Sequence, residues 1–506
     1  MLLDFTRQSD YLLAFLPEIV LTLAAMAVLL GDVLQKGSKS APSASWVPWA
    51  SLGGVVLAAL ANAYMAINVH EAAPTGVVAV DSFRVFTNFV LLLACALSIL
   101  ISVGYVDREG INRGEFYVLQ LFATLGMMLM AGARELVLMF IALEVMSLAV
   151  YVLTGFNRRD PRSSEASLKY FLLGAFSSAF FLYGIALVLG ATGSTHLSVI
   201  APMVLGGSAL LQTAPMLLVG IALLAVGLAF KVAAVPFHMW AADAYDGAPT
   251  PISALMSTGV KAAAFAAFIR VFPVAFGGLY DNWSHVIWWL AAITMVGGNL
   301  IAITQGSVKR MLAYSSIAHA GYVLVALLAA NSTGAAAFLF YLLVYTLMTA
   351  GAFAMVTANS TGGAERVRLE DFAGFGWKQP LLGAAFAIFL LSLAGFPLTA
   401  GFVGKVYILR SALEAGQGKI AVVLVLASLL SYFYYLRVVV TMYMRPAESE
   451  EQFQGLALSP AAKFAIVASA VAVLVLFFYP SPTLDAAQKS VASLFASVGA
   501  QYGLLP

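Results

Sequence analysis

Apolar residues in this chain come in runs of about 20, the length an α-helix needs to cross the hydrocarbon core of a bilayer. Short polar stretches separate the runs and hold most of the charge. Fourteen runs can be read: 11–34, 46–69, 84–106, 116–133, 136–156, 166–190, 216–242, 250–275, 285–305, 309–330, 335–359, 380–415, 419–444 and 460–479. The pattern predicts an all-α, polytopic membrane protein with about 14 transmembrane helices. Only Gly132–Glu135 divides the fourth run from the fifth. The first run reads as a span and not a cleaved leader, because it carries Pro17 and Glu18 and lacks a clear small-residue cleavage site. The tail 481–506 sets Leu484, Val491, Leu494 and Phe495 among polar residues, as a weak amphipathic helix at the membrane interface would.

Composition agrees. Of 506 residues, 62% are hydrophobic and 10% charged, where soluble domains carry about 25% charged residues. The formal charge of +2 carries no signal for nucleic acid, and no basic, aromatic-rich patch occurs, so no nucleic-acid partner is expected. Cys95 is the single cysteine, so this chain alone forms no disulfide, Cys-ligated zinc site or iron–sulfur cluster. No phosphate-cradling glycine loop, dinucleotide fingerprint or His-Glu-x-x-His motif occurs, so neither a cofactor nor a metal site is expected in this chain.

The distribution of charge orients the chain. With the N-terminus outside, the predicted inside loops carry fourteen Lys and Arg, among them Arg108, Arg113, Arg158, Arg159, Arg162 and Lys309. The outside segments carry seven, including Arg84, Arg134 and Arg270, and five lie within spans. Basic residues favour the cytoplasmic side, so both termini are expected on the opposite, periplasmic side.

Two spans are interrupted. In the seventh, Pro236 follows Lys231 by five residues and withdraws a donor from the carbonyl of Val232. In the twelfth, Pro397 lies in Gly395-Phe396-Pro397-Leu398-Thr399-Ala400-Gly401 and frees the carbonyl of Leu393, with Lys405 eight residues on. Non-helical backbone at membrane depth persists only where protein or water satisfies it, and paired broken helices mark transport sites. An isolated proline would be an ordinary kink. The two breaks lie five spans apart, which suggests inverted five-helix repeats over spans 4–8 and 9–13. The chain then divides into 1–106 (three helices), 107–275 (first repeat), 276–444 (second repeat) and 445–506 (last helix and tail).

Charge inside the spans is the candidate chemistry. Lys169, Lys231, Lys261 and Lys405, with Glu144 and His319, lie in otherwise apolar runs. A lysine or acid at the centre of a membrane helix costs roughly 2.5–3.5 kcal/mol on insertion scales. Groups that gain and lose protons, strung through a hydrophobic protein, suggest a proton path. Each has a plainer reading: Lys169 near its span's start could snorkel, Glu144 could be a protonated packing residue, and His319 a structural donor on a face with Ser315. His238 and Arg437 are weaker candidates, and Glu18 could simply anchor the first span. Ser147 and Tyr151 follow Glu144 on one helix face. Burial disfavours a charged lysine and a nearby carboxylate favours it, so Glu144 with Lys231 is the first choice of operating pair.

At these residues the chain resembles a known family. The run Gly227-Leu228-Ala229-Phe230-Lys231-Val232-Ala233-Ala234-Val235-Pro236-Phe237-His238-Met239-Trp240, continued through Tyr245 and Pro251 to Lys261, is similar to the signature of the antiporter-like membrane subunits of respiratory complex I. So are Lys309–His319 and Leu143–Tyr151. Within the family, the length and Lys405 resemble the N-type branch; the M-type typically has glutamate there, and the L-type adds a long lateral helix. One departure is Ala241-Ala242-Asp243 after Trp240, where many relatives carry Pro-Asp.

The resemblance implies a proton-translocating subunit of the bacterial cytoplasmic (inner) membrane. Glu144 and Lys231 would couple the first half-channel, with Lys169 modulating Glu144 from the next helix. Lys261 and His319 would bridge a central axis, and Lys405 would serve the second half-channel. Its partners would be other membrane-arm subunits, the lipid bilayer and protons, with FMN, iron–sulfur clusters and quinone in those other subunits. A free-standing Mrp-type cation/proton antiporter and a purely structural scaffold are the competing readings.

Overall fold

The computed structural model describes residues 2, 3, 5, 7–35, 44–71, 75–206, 214–359, 365–447, 453 and 458–502. After a short N-terminal helix, Gln8–Ala14, come α1 (Leu16–Gln35), α2 (Val47–Asn68), α3 (Ser82–Ser102), α4 (Gly114–Gly132), α5 (Leu136–Thr154) and α6 (Pro161–Thr192). Then follow α7 (Pro215–Lys231), α8 (Ala241–Gly247), α9 (Thr250–Ala275), α10 (Tyr280–Ile303), α11 (Val308–Ala329) and α12 (Ser332–Ala358). The chain closes with α13 (Pro380–Ala394), α14 (Ala400–Glu414), α15 (Gly418–Met444), α16 (Pro460–Phe478) and α17 (Ser481–Tyr502). The named strands among the described residues are a two-residue parallel pair, Leu2–Leu3 with His70–Glu71.

Twelve of these helices are long and apolar enough to cross a membrane. The fourteen runs read from the sequence differ from this set by the seventh and the twelfth, each of which is divided into shorter helices: α7 and α8 in one, α13 and α14 in the other. Helix starts follow local chemistry. Asp81, Asp160, Ser307, Asn331 and Ser459 each accept a hydrogen bond from an amide in the first turn of the helix they precede. Pro161 and Pro460 fill first-turn positions where no amide donor is missed. Asp160 and Pro161 explain why α6 begins before the expected residue 166. Its polar first turns still form helix and carry the Glu165–Lys169 pair.

Three helices, α9, α11 and α12, are buried along nearly their whole length and form the centre. α12 packs on α3, α9, α11, α13, α14, α16 and α17. The tail departs from expectation: Leu484, Ala487, Val491 and Leu494 of α17 are buried, and the helix packs on α12 and α3. Its apolar stripe has protein to cover, which buries that area more completely than a lipid interface would. The side chain of Phe495 lies outside the described residues, as do Lys36 and Lys39 of the first inside loop.

Arg84 and Arg270, counted as outside charges in the sequence, are buried ion-pair members. Arg270 donates to both carboxylate oxygens of Asp81 at 2.8 Å and, through Nε, to the Ala131 carbonyl at 2.7 Å. Arg84 meets Glu18 at 2.6 Å and the carbonyls of Ala14 and Ala79. Glu18 therefore ties α1 to α3 and does more than anchor a span. Burial alone would raise the Asp81 carboxyl, but Arg270 and Arg134 hold it down at about 2. That stabilisation is complete above the ordinary carboxyl pKa of 3.8 and is lost only as pH falls through about 2. Arg270→Met at neutral pH strands a buried charge and is expected to cost about 3–5 kcal/mol. Thermal unfolding of the purified complex should show the loss, and Asp81→Asn in the same chain should restore much of it.

Candidate functional site

The first break is built at the end of α7. Ala233 takes a left-handed conformation, φ 59°, and its amide bonds the Phe230 carbonyl while that of Ala234 bonds Ala229. This is the double hydrogen bond that terminates helices at a left-handed residue, here alanine where glycine is usual. Beyond it the Val235 amide donates to Thr294 Oγ1 of α10 at 2.9 Å, and Pro236 faces outward. Trp240 restarts the chain on α8, stacked on Tyr170 at 4.1 Å, with its indole N–H on the Phe230 carbonyl.

Lys231, the last residue of α7, is 1% exposed. Its Nζ donates to Ser147 Oγ at 2.7 Å and Tyr151 OH at 3.2 Å, and lies 5.3–5.7 Å from the rings of Tyr151, Tyr170 and Phe230. Ser147 passes its own hydrogen bond to the Leu143 carbonyl. Glu144 is on the same face of α5 and within electrostatic reach of Lys231, but makes no direct ion pair with it. One carboxylate oxygen of Glu144 is buried without a hydrogen-bond partner. The pair expected from the sequence therefore acts through space, with the Lys231 ammonium held by Ser147 and Tyr151 and not by the Glu144 carboxylate.

Lys261 stands in mid-α9, directly after a π-turn over Met256–Val260, a distortion often found at functional positions. Its Nζ bonds Ser316 of α11 twice, to the carbonyl at 2.6 Å and to Oγ at 2.7 Å. One turn along α11, His319 meets Tyr341 OH at 2.6 Å and Tyr435 OH at 3.2 Å. Ser315, expected to share its face, bonds the same Tyr435. A cavity of about 10 Å³ lies among Lys261, Ser316, His319 and Tyr345, at the threshold for one water. The Tyr345 hydroxyl, buried there, has no protein partner.

A further turn along α11, Tyr322 places its ring 4.7 Å from the Nζ of Lys405. The second break is an analogue of the first, with Gly395 at φ 83° and amides of Gly395 and Phe396 bonding Ser392 and Leu391. Lys405 reaches back from α14 to the carbonyls of Leu393 at 3.0 Å and Ala394 at 2.8 Å. The carbonyl freed by Pro397 is therefore satisfied by the lysine. A Cβ at Gly395 would sit 2.8 Å from Lys405 Cδ, so both the left-handed backbone and the side chain require glycine. Ser316, His319 and Tyr322 thus form a strip on α11, three residues apart, that joins Lys261 to Lys405.

Lys169 is placed elsewhere. Its Nζ is 2.6 Å from Glu165 and 3.1 Å from Asp243, with the side chain 46% exposed. Asp243, in the stretch where the chain departs from the family motif, also binds Arg310 at 2.9 Å. Burial pushes its carboxyl up, but hydrogen bonds from Lys169 and Arg310 bring it below the usual range. The snorkelling reading fits this residue best. His238 is half-buried in the first break, and Arg437 caps α10 through the carbonyls of Ile303 and Gln305.

The sequence reading missed Ser316, Tyr322, Tyr341 and Tyr435. Their signal was spacing on α11 and polar hydroxyls in otherwise apolar spans, which does not separate structural from chain-forming groups. Among the described residues, none of Lys231, Lys261 and Lys405 meets a carboxylate within ion-pairing distance. No three His, Cys, Asp or Glu side chains among them converge as a metal would require.

Residues 133–431 match the family model for the NADH:quinone oxidoreductase/Mrp antiporter transmembrane region. The chain is 45% identical over 486 residues to the NADH-quinone oxidoreductase subunit N of Trichlorobacter lovleyi, covering 96% of this chain and 98% of that one. It is 44% identical to subunit N 1 of Solibacter usitatus, over 95% and 97% of the two chains. Among solved structures it is similar to a chain of respiratory complex I from Thermus thermophilus with bound aureothin, with TM-score 0.76, 38% identity, and 93% and 98% covered. A chain of the Mrp complex from Dietzia sp. shares the fold, with TM-score 0.80 at 24% identity, over 97% and 98%. The chain belongs to the membrane family of NADH:quinone oxidoreductase and the Mrp antiporters, on its subunit N branch.

Proposed function

We infer that this chain is a proton-translocating membrane-arm subunit of NADH–quinone oxidoreductase, in which Lys231, Lys261, His319 and Lys405 carry protons between two half-channels. The observation behind the path is that three buried lysines are held by hydroxyls and carbonyls, with no carboxylate neutralising them, and that two are joined by the Ser316–His319–Tyr322 strip. A lysine tied to a fixed anion would hold its proton, whereas one among neutral acceptors responds to charge arriving nearby. Glu144 supplies such a charge within electrostatic reach of Lys231, whereas Lys169, held by Glu165 and Asp243 at the exposed end of its helix, stays off the path. Moving each proton against 100 mV takes roughly 2.3 kcal/mol, which quinone reduction elsewhere in the complex provides.

In this reading the division is 1–106, 107–275, 276–444 and 445–506, with 107–275 and 276–444 as inverted repeats around the two breaks and fourteen crossings in all. Both termini face the periplasm and the basic loops face the cytoplasm of the bacterial inner membrane. FMN, iron–sulfur clusters and quinone belong to partner subunits. The greater similarity to subunit N relatives sets the antiporter alternative aside.

The test is NADH-driven proton uptake by inverted membrane vesicles carrying Lys261→Met, with assembly checked on native gels. Methionine keeps the length and apolar stem and removes the proton. Uptake is expected to fall by about a hundredfold or more, the lower bound for a lost proton-transfer group. Normal uptake by the assembled variant would refute the path.

A further inference from the structure

A groove of about 810 Å³ opens on the side of the chain where α1, α4 and α5 meet, and it has two unlike ends. Arg113, Arg158 and Arg159 line one end, against the single acid Glu115. Leu29 of α1, Leu119 and Phe122 of α4 and Val152 of α5 line the body. From Glu115 to Phe122 the groove runs roughly 10 Å along the helix axis, at about 1.5 Å per residue, so it extends from the polar loops into the hydrocarbon layer. We propose that this groove binds an anionic phospholipid, with its phosphate on Arg158 and Arg159 and an acyl chain along Leu29, Phe122 and Val152.

Several features select this occupant. The two arginines are exposed, follow directly on the end of α5, and are offered by a loop with its own backbone order, in which the Arg159 amide bonds Asn157 Oδ1. Their charge lies just past the end of a membrane-length helix, next to an apolar wall formed by the spans themselves. Basic pockets between transmembrane helices on the cytoplasmic side are known to hold acidic headgroups. A soluble anion would use the arginines and leave the apolar walls unfilled, whereas a purely apolar partner helix would bury the arginines. A diacyl anionic lipid matches both ends, and the site is independent of the proton path.

The experiment uses the whole complex in native membranes, with p-benzoylphenylalanine in place of Val152, which is 51% exposed in the groove. The same probe in place of Leu148, exposed one turn away and outside the groove, reports the bulk lipid. After irradiation, the mass of the labelled peptide identifies what was captured. Phosphatidylglycerol adducts at 152 are expected to be enriched over those at 148. Arg158→Ala with Arg159→Ala should reduce that enrichment by about thirtyfold, the factor expected from the attraction of two basic residues for acidic lipid. Capture of another polypeptide at 152, or the same headgroup mixture at both probes, overturns the proposal. So does an enrichment that survives loss of both arginines.

Discussion

A complex carrying Lys231→Met is expected to assemble and to lose both proton uptake and quinone reductase activity by about a hundredfold or more, on the scale of a missing proton-transfer group. Assembly should survive because methionine is unbranched, fills the same apolar channel between Tyr151, Tyr170 and Phe230, and needs no hydrogen-bond partner. Ser147 keeps its bond to the Leu143 carbonyl, so little else is stranded. Reductase activity falls with pumping because the two are coupled: if protons cannot move, the redox steps that drive them stall. The readouts are uptake by inverted vesicles and NADH:quinone turnover, both normalised to complex on native gels. A variant that turned over quinone at the normal rate while pumping nothing would place Lys231 on the path but outside the coupling. A variant that did both normally would make it structural. Ser147→Ala is the sharper companion, because it removes the closer of the two hydroxyls on Nζ and leaves the lysine. A loss there with the lysine intact would show that the neutral hydroxyl holding Nζ is itself needed at this end of the path.

Much of the architecture was legible because membrane spans obey a simple rule. The apolar runs at 250–275 and 136–156 correspond to α9 and α5, because length and hydropathy alone decide a span. The breaks were legible for the same reason, since a proline inside an apolar run has a local consequence: Pro397 frees the Leu393 carbonyl. What could not be read was which partner takes each freed or charged group. Lys405 satisfies that carbonyl, Lys231 chooses Ser147 over Glu144, and Lys169 turns out to Asp243, all through contacts between residues 12 to 84 apart in the chain. Arg270 looked like a loop charge because charge near a span end is common; its bidentate grip on Asp81 depends on α3 and α9 lying side by side. The α17 stripe was visible, but an amphipathic helix has the same pattern whether it covers lipid or protein.

Lys405 has two roles, and substitution can separate them. As a cap, its ammonium sits at the C-terminal end of α13 and donates to two carbonyls, a place where the helix dipole favours a cation. As a proton carrier it must also release its charge. Lys405→Gln retains amide donors toward the Leu393 and Ala394 carbonyls, so the break should hold and the complex assemble. Proton uptake should nevertheless drop by about a hundredfold or more, since an amide does not titrate and cannot transfer the proton. Lys405→Glu is the opposite case: an ionised carboxylate has only acceptors to offer two carbonyls and an unfavourable dipole. That variant should assemble poorly, with the yield of intact complex falling as pH rises and the carboxyl is forced to ionise. Native-gel yield and vesicle uptake, measured together for the two variants, distinguish the roles. If Lys405→Gln pumps normally, Lys405 is a cap alone and the second half-channel must end elsewhere, with His319 and its tyrosines as the remaining candidates.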